Sequence, residues 1–303
     1  MNNYIELLLE KIGTKNPGHA AKLKKNLEGL GEEYFEMAQR FYSKYDAYLK
    51  QEEKTLDFGV DCYLKLCADM MEERIKFIET GKYSSSSFEE VEKRVYGNSD
   101  TMTYHMHGLV LGQFLWFEQY ERMKFFYDQL PYHTAGKIGK YLEIGGGHGL
   151  YMMEAINRIP AFTKFDLVDI SESSLQLAKG IISNNRINYY LKNIFDFTEI
   201  DKYDFVTMGE VLEHVEAPLD LLKKIAELIG NTGRAYITTP VNSPMIDHIY
   251  LFNHEKEIRE LLLAAGLEVI EEKVVVSEKI PGNRARKFKA PIMYAAFVKS
   301  ITK

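Results

Sequence analysis

The sequence is short of cysteine, tryptophan, long apolar runs and net positive charge, and each shortage removes a class of protein. Its two cysteines, Cys62 and Cys67, lie in a helical stretch at a spacing that matches neither a zinc pair nor a redox pair. They read as buried free thiols, which suits a reducing compartment. No apolar run reaches the roughly 20 residues of a bilayer-spanning helix. The stretch Met1-Asn2-Asn3-Tyr4-Ile5-Glu6 lacks the basic-then-apolar layout of a secretory signal, so a cytoplasmic protein with no membrane partner is expected. Lysine and arginine number 38 against 44 aspartates and glutamates, a net charge of −6. That balance speaks against a broad nucleic-acid face, which needs basic charge. What remains is an ordinary globular composition, 46% hydrophobic and 27% charged over 303 residues. It is enough for one large domain or two ordinary ones.

Two blocks divide the chain. Residues 1–130 carry helical periodicity and almost no strand signal, and they are expected to form an all-helical N-terminal cap. In the third helix Phe35, Ala38, Tyr42, Tyr45 and Leu49 recur at helical spacing; in the fourth, Leu64, Cys67, Met71, Ile75 and Ile78 do. Both stripes read as core. Ser87-Phe88-Glu89-Glu90 has the spacing of a capping box. From residue 131 to 303 short strands alternate with helices, which predicts an α/β domain with a mostly parallel sheet covered on both faces. The segment joining the blocks, Tyr104 to Tyr127, holds the single tryptophan, Trp116, and the close pair His105 and His107. It predicts one long helix, or two joined at Gly108 to Gly112, ending at Leu130-Pro131. Such a helix is either buried against the next domain or a lid and substrate wall, and both roles are compatible. Tyr104, His105, His107, Trp116, Gln119 and Tyr120 are its candidate substrate-binding residues.

The chemistry is concentrated after residue 139. Glu143-Ile144-Gly145-Gly146-Gly147-His148-Gly149 reads as a strand end, a glycine turn and a helix start. Glycines let such a turn take positive φ and let a ligand approach the backbone, while the helix offers unpaired N–H groups. The spacing departs from the dinucleotide fingerprint, because a third glycine counted from Gly145 would fall at Leu150. His148 reads as a helix-start residue within reach of a ligand carboxylate. Asp169 ends the second strand about 20 residues later, where a carboxylate can accept both hydroxyls of a ribose; a turn or capping role is its alternative. After the third strand, Asn193-Ile194-Phe195-Asp196 offers a polar group and an apolar one for an adenine, with Asn193 and Asp196 both open as the polar partner. After the fourth comes Gly209-Glu210-Val211-Leu212-Glu213-His214-Val215.

Taken together, residues 140–276 resemble the class I S-adenosylmethionine-dependent methyltransferases. The glycine turn is similar to the family's first motif and Asp169 to its second. Asn193-Ile194 is similar to its adenine contact, and Glu210-Val211-Leu212-Glu213-His214-Val215 to its motif after the fourth strand. Thr238-Thr239-Pro240-Val241-Asn242, Asp247-His248 and Ala265-Gly266-Leu267 fit as well. The resemblance implies a Rossmann-like, seven-stranded sheet, S-adenosylmethionine as cofactor and S-adenosylhomocysteine as product. It implies cofactor contacts from Glu143, Gly145, Gly147, Gly149, Asp169, Ile170, Asn193, Ile194, Gly209 and Glu210. Asn193 stands where an aspartate is more usual, and an amide still hydrogen-bonds an adenine. Helical additions like residues 1–130 usually form a substrate-recognising cap in this family.

The implied reaction is in-line displacement: an O, N or C nucleophile of a small organic molecule takes the sulfonium methyl group. Positioning and desolvation then carry most of the catalysis. A general base is drawn from His248, the first choice because it follows the fifth strand, then His214, His105 and His107. The expectation is a reaction without a divalent metal, with Glu210, Glu213 and His214 as the place where one could sit, since residues i, i+3 and i+4 share a helical side. The basic run Lys279–Lys289 is either a solvated loop or a clamp on an anionic substrate. A homodimer is compatible with the chain. Three rivals stand beside this reading. Mis-spaced glycines count against a nicotinamide-dependent oxidoreductase, the intact glycines and Asp169 against a non-catalytic cofactor-binding subunit, and net acidity against a nucleic-acid methyltransferase.

Overall fold

The computed structural model describes residues 3–135, 138–159, 163–198, 201–277 and 282–301. Its N-terminal part is helical: α1 (Tyr4–Lys15), α2 (Pro17–Leu27), α3 (Glu32–Gln51), α4 (Leu56–Thr80), the single turn α5 (Phe88–Val91), α6 (Ser99–Leu115) and α7 (Phe117–His133). A π-helical turn, Glu92–Tyr96, continues α5. Side chains cap the starts as their residue types predict: Asn3, Asn16, Ser87 and Asn98 accept the N–H groups of Ile5, His19, Glu90 and Thr101.

Three expectations for these helices are corrected. In α4 the face carrying Met71, Ile75 and Ile78 is exposed, at 62%, 50% and 68%. The opposite stripe of Leu56, Val60, Tyr63, Leu66 and Phe77 is buried instead. Both faces of this helix are apolar enough to be core, and the larger aromatic pair, Tyr63 and Phe77, lies on the buried one. The break between α6 and α7 falls at Trp116, in extended conformation, not at Gly108–Gly112. Those glycines serve packing: an added Cβ would stand 2.9 Å from Leu66 at Gly108 and 2.8 Å from the Trp116 ring at Gly112. Pro131 lies inside the last turns of α7, so the expected boundary near residue 130 falls within a helix.

The sheet comprises β1 (Lys140–Ile144), β2 (Lys164–Asp169), β3 (Ile187–Leu191), β4 (Phe205–Gly209), β5 (Arg234–Val241), β6 (Leu267–Val276) and β7 (Ile292–Ser300). Its order is β3-β2-β1-β4-β5-β7-β6. The first five strands are parallel, and β7 runs antiparallel between β5 and β6. The intervening helices are α8 (Leu150–Arg158), α9 (Glu172–Ile182), α10 (Pro218–Ile229), α11 (Glu255–Ala264) and the short α12 (Gly282–Lys287). The last replaces part of the expected basic loop; Lys279, Ile280 and Pro281 lie outside the described residues. Arg286 of α12 pairs with Glu255 at 2.6 Å.

Side chains of β1, β4, β5 and β7 with those of α7, α8 and α9 form one core, continuous with α1, α3, α4 and α6. The other face packs against α10 and α11. The connection after β1 runs to β2 and the connection after β4 runs the other way to β5, so the strand order reverses at the carboxyl ends of β1 and β4. That is the position where open α/β sheets bind ligands. No described helix is long and apolar enough to cross a membrane.

Candidate active site

The carboxyl ends of β1, β2 and β4 open into a cavity of about 570 Å³, within the range of small-molecule sites. Helix α6 and the α5 region form its opposite wall. The turn after β1 gives it shape: Gly145, Gly147 and Gly149 have φ of 66°, 50° and 74°, a left-handed conformation that side chains resist. Gly145 and Gly147 line the cavity, whereas Gly149 does not; it starts α8 against Ile182 and Ala178.

Asp169 joins the turn to β2. Its carboxylate accepts Ser171 N–H at 2.8 Å and Gly147 N–H at 3.4 Å, so it performs the turn role and faces the cavity too. Burial raises its pKa to about 6. Next to it Ile170 is 45% exposed on the cavity lip, with Lys192, Asn193 and Ile194 beyond. Asn193 also accepts Phe195 N–H at 3.0 Å. Asp196, the alternative to Asn193, is exposed and outside the cavity lining.

At the other end of the turn, Glu143 is buried and its Oε2 has no hydrogen-bond partner. Burial, then the neighbouring Asp169, holds its pKa well above the carboxylate range. The same cavity is lined by a residue that the sequence reading did not single out, Arg122 of α7. Its guanidinium pairs with Glu210 and Gln119, and its Nε is left unpartnered. An arginine on the buried stripe of an aromatic helix, with Gln119, Met123 and Phe126, was the available signal. Glu210 takes a strained φ of 54°, held by its N–H to the Thr238 carbonyl at 3.1 Å and by Thr238 Oγ1 donating to its carboxylate at 2.9 Å. His148 lines the cavity, and burial with nearby Arg122 lowers its pKa to about 3.

The far end holds Glu213, His214, Asp247 and His248, with His105 of α6 above them. Carbonyl oxygens only accept, so two tautomers follow. His248 Nδ1 donates to the Ser243 carbonyl at 2.6 Å, and His214 Nδ1 donates to the Asp247 carbonyl at 2.9 Å. In the neutral rings both Nε2 atoms therefore carry lone pairs. They lie 3.9 Å and 3.8 Å from Glu213 Oε1, which has no hydrogen-bond partner; Oε2 accepts from Thr239 at 2.9 Å. Burial, then the nearby Glu210 charge, raises the Glu213 pKa far above its usual range. Burial disfavours the His214 imidazolium, but Asp247 and Glu213 outweigh it and leave the pKa raised. For His248 burial and then His214 lower it to about 3. The Asp247 carboxylate lies 3.2 Å from His105 Nε2 and 3.6 Å from His214 Nδ1.

Of the candidate wall residues, His105, Trp116 and Gln119 reach the cavity. Three do not. Tyr104 points to the outside of the cap, donating to Asp69 at 2.6 Å beneath Lys65. His107, one step around α6 from the cavity face, is buried on Tyr45 at 2.8 Å between Tyr48 and Phe58. Tyr120 packs edge-on to Tyr34 in the cap core. The place where spacing would let a metal sit, Glu210, Glu213 and His214, is also rearranged. Leu212–His214 is a 3-10 turn that excludes Glu210, and among the described residues Glu213, His214 and His248 have ligand atoms within 4.8 Å of one another.

A family model for a methyltransferase domain matches residues 116–272. The ubiquinone biosynthesis O-methyltransferase of Coxiella burnetii (strain RSA 493 / Nine Mile phase I) is 34% identical over 105 residues, 33% of this chain and 44% of that protein. The mitochondrial protein of that name from Candida albicans is 29% identical over 103 residues, 32% and 31% of the two chains. The chain thus spans about a third to a half of the length of the curated relatives it matches. Among solved structures, the mitomycin 7-O-methyltransferase aligns with a TM-score of 0.52 over 81% of this chain and 71% of its own, at 12% identity. A plantazolicin methyltransferase solved with S-adenosylhomocysteine aligns with a TM-score of 0.50 over 76% and 99%, at 15% identity; these two likenesses concern the fold. With just over half of its residues matched by that model, the chain belongs to the methyltransferase-domain family, and its sheet has the Rossmann-like class I fold.

Proposed function

We propose that the chain methylates a hydroxyl of a small organic molecule, with the cofactor's methionine end at the glycine turn and its adenosine between Asp169 and Asn193. The observation that carries this reading is the single cavity joining the open Gly147 backbone, Asp169, Asn193 and the Glu213–His214–His248 cluster. Glu143 is suited to the ligand ammonium, and Arg122 to its carboxylate. Charge on the ligand would offset the burial of both groups. The names of the curated relatives support oxygen as the acceptor atom.

For the base, the geometry favours His214 over His248. A base needs a neutral ring whose protonated form is stabilised. His214 has Asp247 on its Nδ1 side and a free Nε2, whereas His248 is held neutral by its surroundings. The proton of the acceptor hydroxyl would pass to His214 Nε2 as the methyl group leaves sulfur, giving S-adenosylhomocysteine.

The unpartnered Glu213 Oε1 facing two imidazole lone pairs favours a second reading, in which Glu213, His214 and His248 hold a divalent cation. Such a cation would polarise the acceptor oxygen and lower its pKa. His214 would then orient the ion and not serve as base. Elemental analysis of purified protein, and methyl transfer before and after exhaustive chelation, separate the two: bound metal and lost activity support the cation, and undiminished activity removes it. The primary reading is tested by thermal shift. S-adenosylhomocysteine at 100 times its Kd should stabilise the fold by about 2.7 kcal/mol and NAD should not; no stabilisation by S-adenosylhomocysteine would remove the cofactor site.

A further inference from the structure

Residues 83–98 form a strap laid from the cap across the mouth of the cavity. The strap leaves α4 at Gly81, which is left-handed at φ 71°, and rejoins the cap at Asn98. Along it only Ser85, Val91 and Val95 are buried. Its polar contacts reach the loops that frame the site. Ser243 N–H donates to Tyr83 OH at 3.0 Å and Phe88 N–H donates to Glu216 Oε1 at 2.8 Å. Arg94 donates to the Ile246 carbonyl, and Tyr96 OH lies 3.2 Å from His214 Nδ1.

The strap is also a partition. Phe88 and Tyr96 of the strap, with Met102 of α6 beside them, line the cavity on one side and an outer hollow on the other, and both spaces share Ile170 and Asn193. Phe88, Ile170 and Phe195 leave 37%, 45% and 44% of their surface exposed around the mouth. A segment with few buried apolar contacts opens at low free energy. Its inner turn is π-helical, a conformation frequent at functional sites.

We propose that residues 83–98 are a lid. It swings away from Glu216 and Ile246 to admit S-adenosylmethionine and release S-adenosylhomocysteine, and closes over the adenosine between Asp169 and Asn193. Gly81 and Gly97 are the hinges. At Gly97 a Cβ would meet the Glu92 carbonyl at 2.9 Å, so the turn there depends on glycine. The lid rests on the cofactor placement proposed above, and the test keeps the two apart.

Binding of S-adenosylhomocysteine to the full chain is measured first by calorimetry. Amide exchange of residues 84–98 is then followed with and without saturating S-adenosylhomocysteine. The lid requires exchange there to slow by about tenfold or more on binding. It also requires Glu216→Ala, which removes one charge-assisted hydrogen bond, to speed S-adenosylhomocysteine dissociation about threefold to tenfold. Arg94→Met, at the other latch, should do the same and guards against a local defect in one variant. Binding with unchanged strap exchange and unchanged dissociation overturns the lid alone. Failure of the wild-type chain to bind S-adenosylhomocysteine overturns the lid and the cofactor placement together.

Discussion

A Cβ added to Gly145 would stand 2.4 Å from Val211, one on Gly146 2.5 Å from Leu167, and one on Gly149 2.5 Å from Ile182. Those glycines let the turn pack. Gly147 differs, because its nearest neighbour would be the Met106 methyl at an ordinary 3.6 Å. A side chain there would project into the cavity. Gly147→Val is therefore expected to cost about 1–2 kcal/mol of stability for its left-handed φ and to abolish S-adenosylhomocysteine binding in calorimetry. Normal affinity in that variant would remove the turn from the cofactor site. Asp169 carries a second expectation. Its folded pKa, about 6, lies above the usual 3.8. Its protonated form thus contributes stability below pH ~4 that is lost as the pH rises through about 6. A ribose needs the carboxylate, so cofactor affinity should rise as that stability falls. About a tenth of the group is ionised at pH 5 and about nine-tenths at pH 7, and S-adenosylhomocysteine should bind about tenfold more weakly at pH 5. Asp169→Asn should bind weakly at both pH values with a flat profile; a sloped one would assign the titration elsewhere.

Among the elements, the α4–α6 crossing is the most sensitive to a single methyl group. Gly108 brings α6 within 2.9 Å of Leu66 and 3.1 Å of the Cys62 carbonyl, measured from the Cβ it lacks. Alanine gains about 1 kcal/mol in helix propensity, yet overpacking costs about 1–3 kcal/mol. Here one of the obstacles is backbone, which cannot rotate aside. Gly108→Ala is expected to lower stability by about 1–2 kcal/mol in urea unfolding; an increase would mean that the helices separate freely. This crossing shows where sequence stops being legible. Strands β1 to β5 and their turns were readable, because short apolar runs bounded by glycine and proline are local signals. So were Asp169 and Asn193, placed by their distance from strand ends. The buried face of α4 was not, since Met71, Ile75 and Ile78 compete with Leu66 and Phe77 on equal local terms and only the approach of α1 and α6 decides. Trp116 breaks the helix without glycine or proline, so nothing local marks it. The contacts of Arg122 with Glu210 and of His105 with Asp247 join residues 88 and 142 positions apart in sequence, which no periodicity reports.

Across the whole molecule, the cap and the sheet share one buried surface. Ile5, Tyr34, Phe41 and Phe114 of the cap belong to the same apolar cluster as Tyr141, Phe205, Tyr236 and Phe297 of the sheet. Phe126 of α7 links them, with its ring 5.0 Å from both Tyr151 and Tyr236. Polar ties cross at the same place: Arg40 of α3 pairs with the buried Glu154 of α8 at 3.0 Å, and Gly180 of α9 lies directly under Tyr48. If the cap were an independent unit, heating would melt it separately. A shared core makes separate melting costly, because either half alone would expose the aromatic surface that the other covers. The full chain is therefore expected to unfold in one calorimetric transition, with a van't Hoff enthalpy close to the calorimetric one, and S-adenosylhomocysteine should raise that single transition. A fragment of residues 131–303, cut within α7 and stripped of α1 to α6, should lack a cooperative transition. Two transitions in the full chain, only the later one shifted by S-adenosylhomocysteine, would establish instead that the cap folds apart from the site it covers.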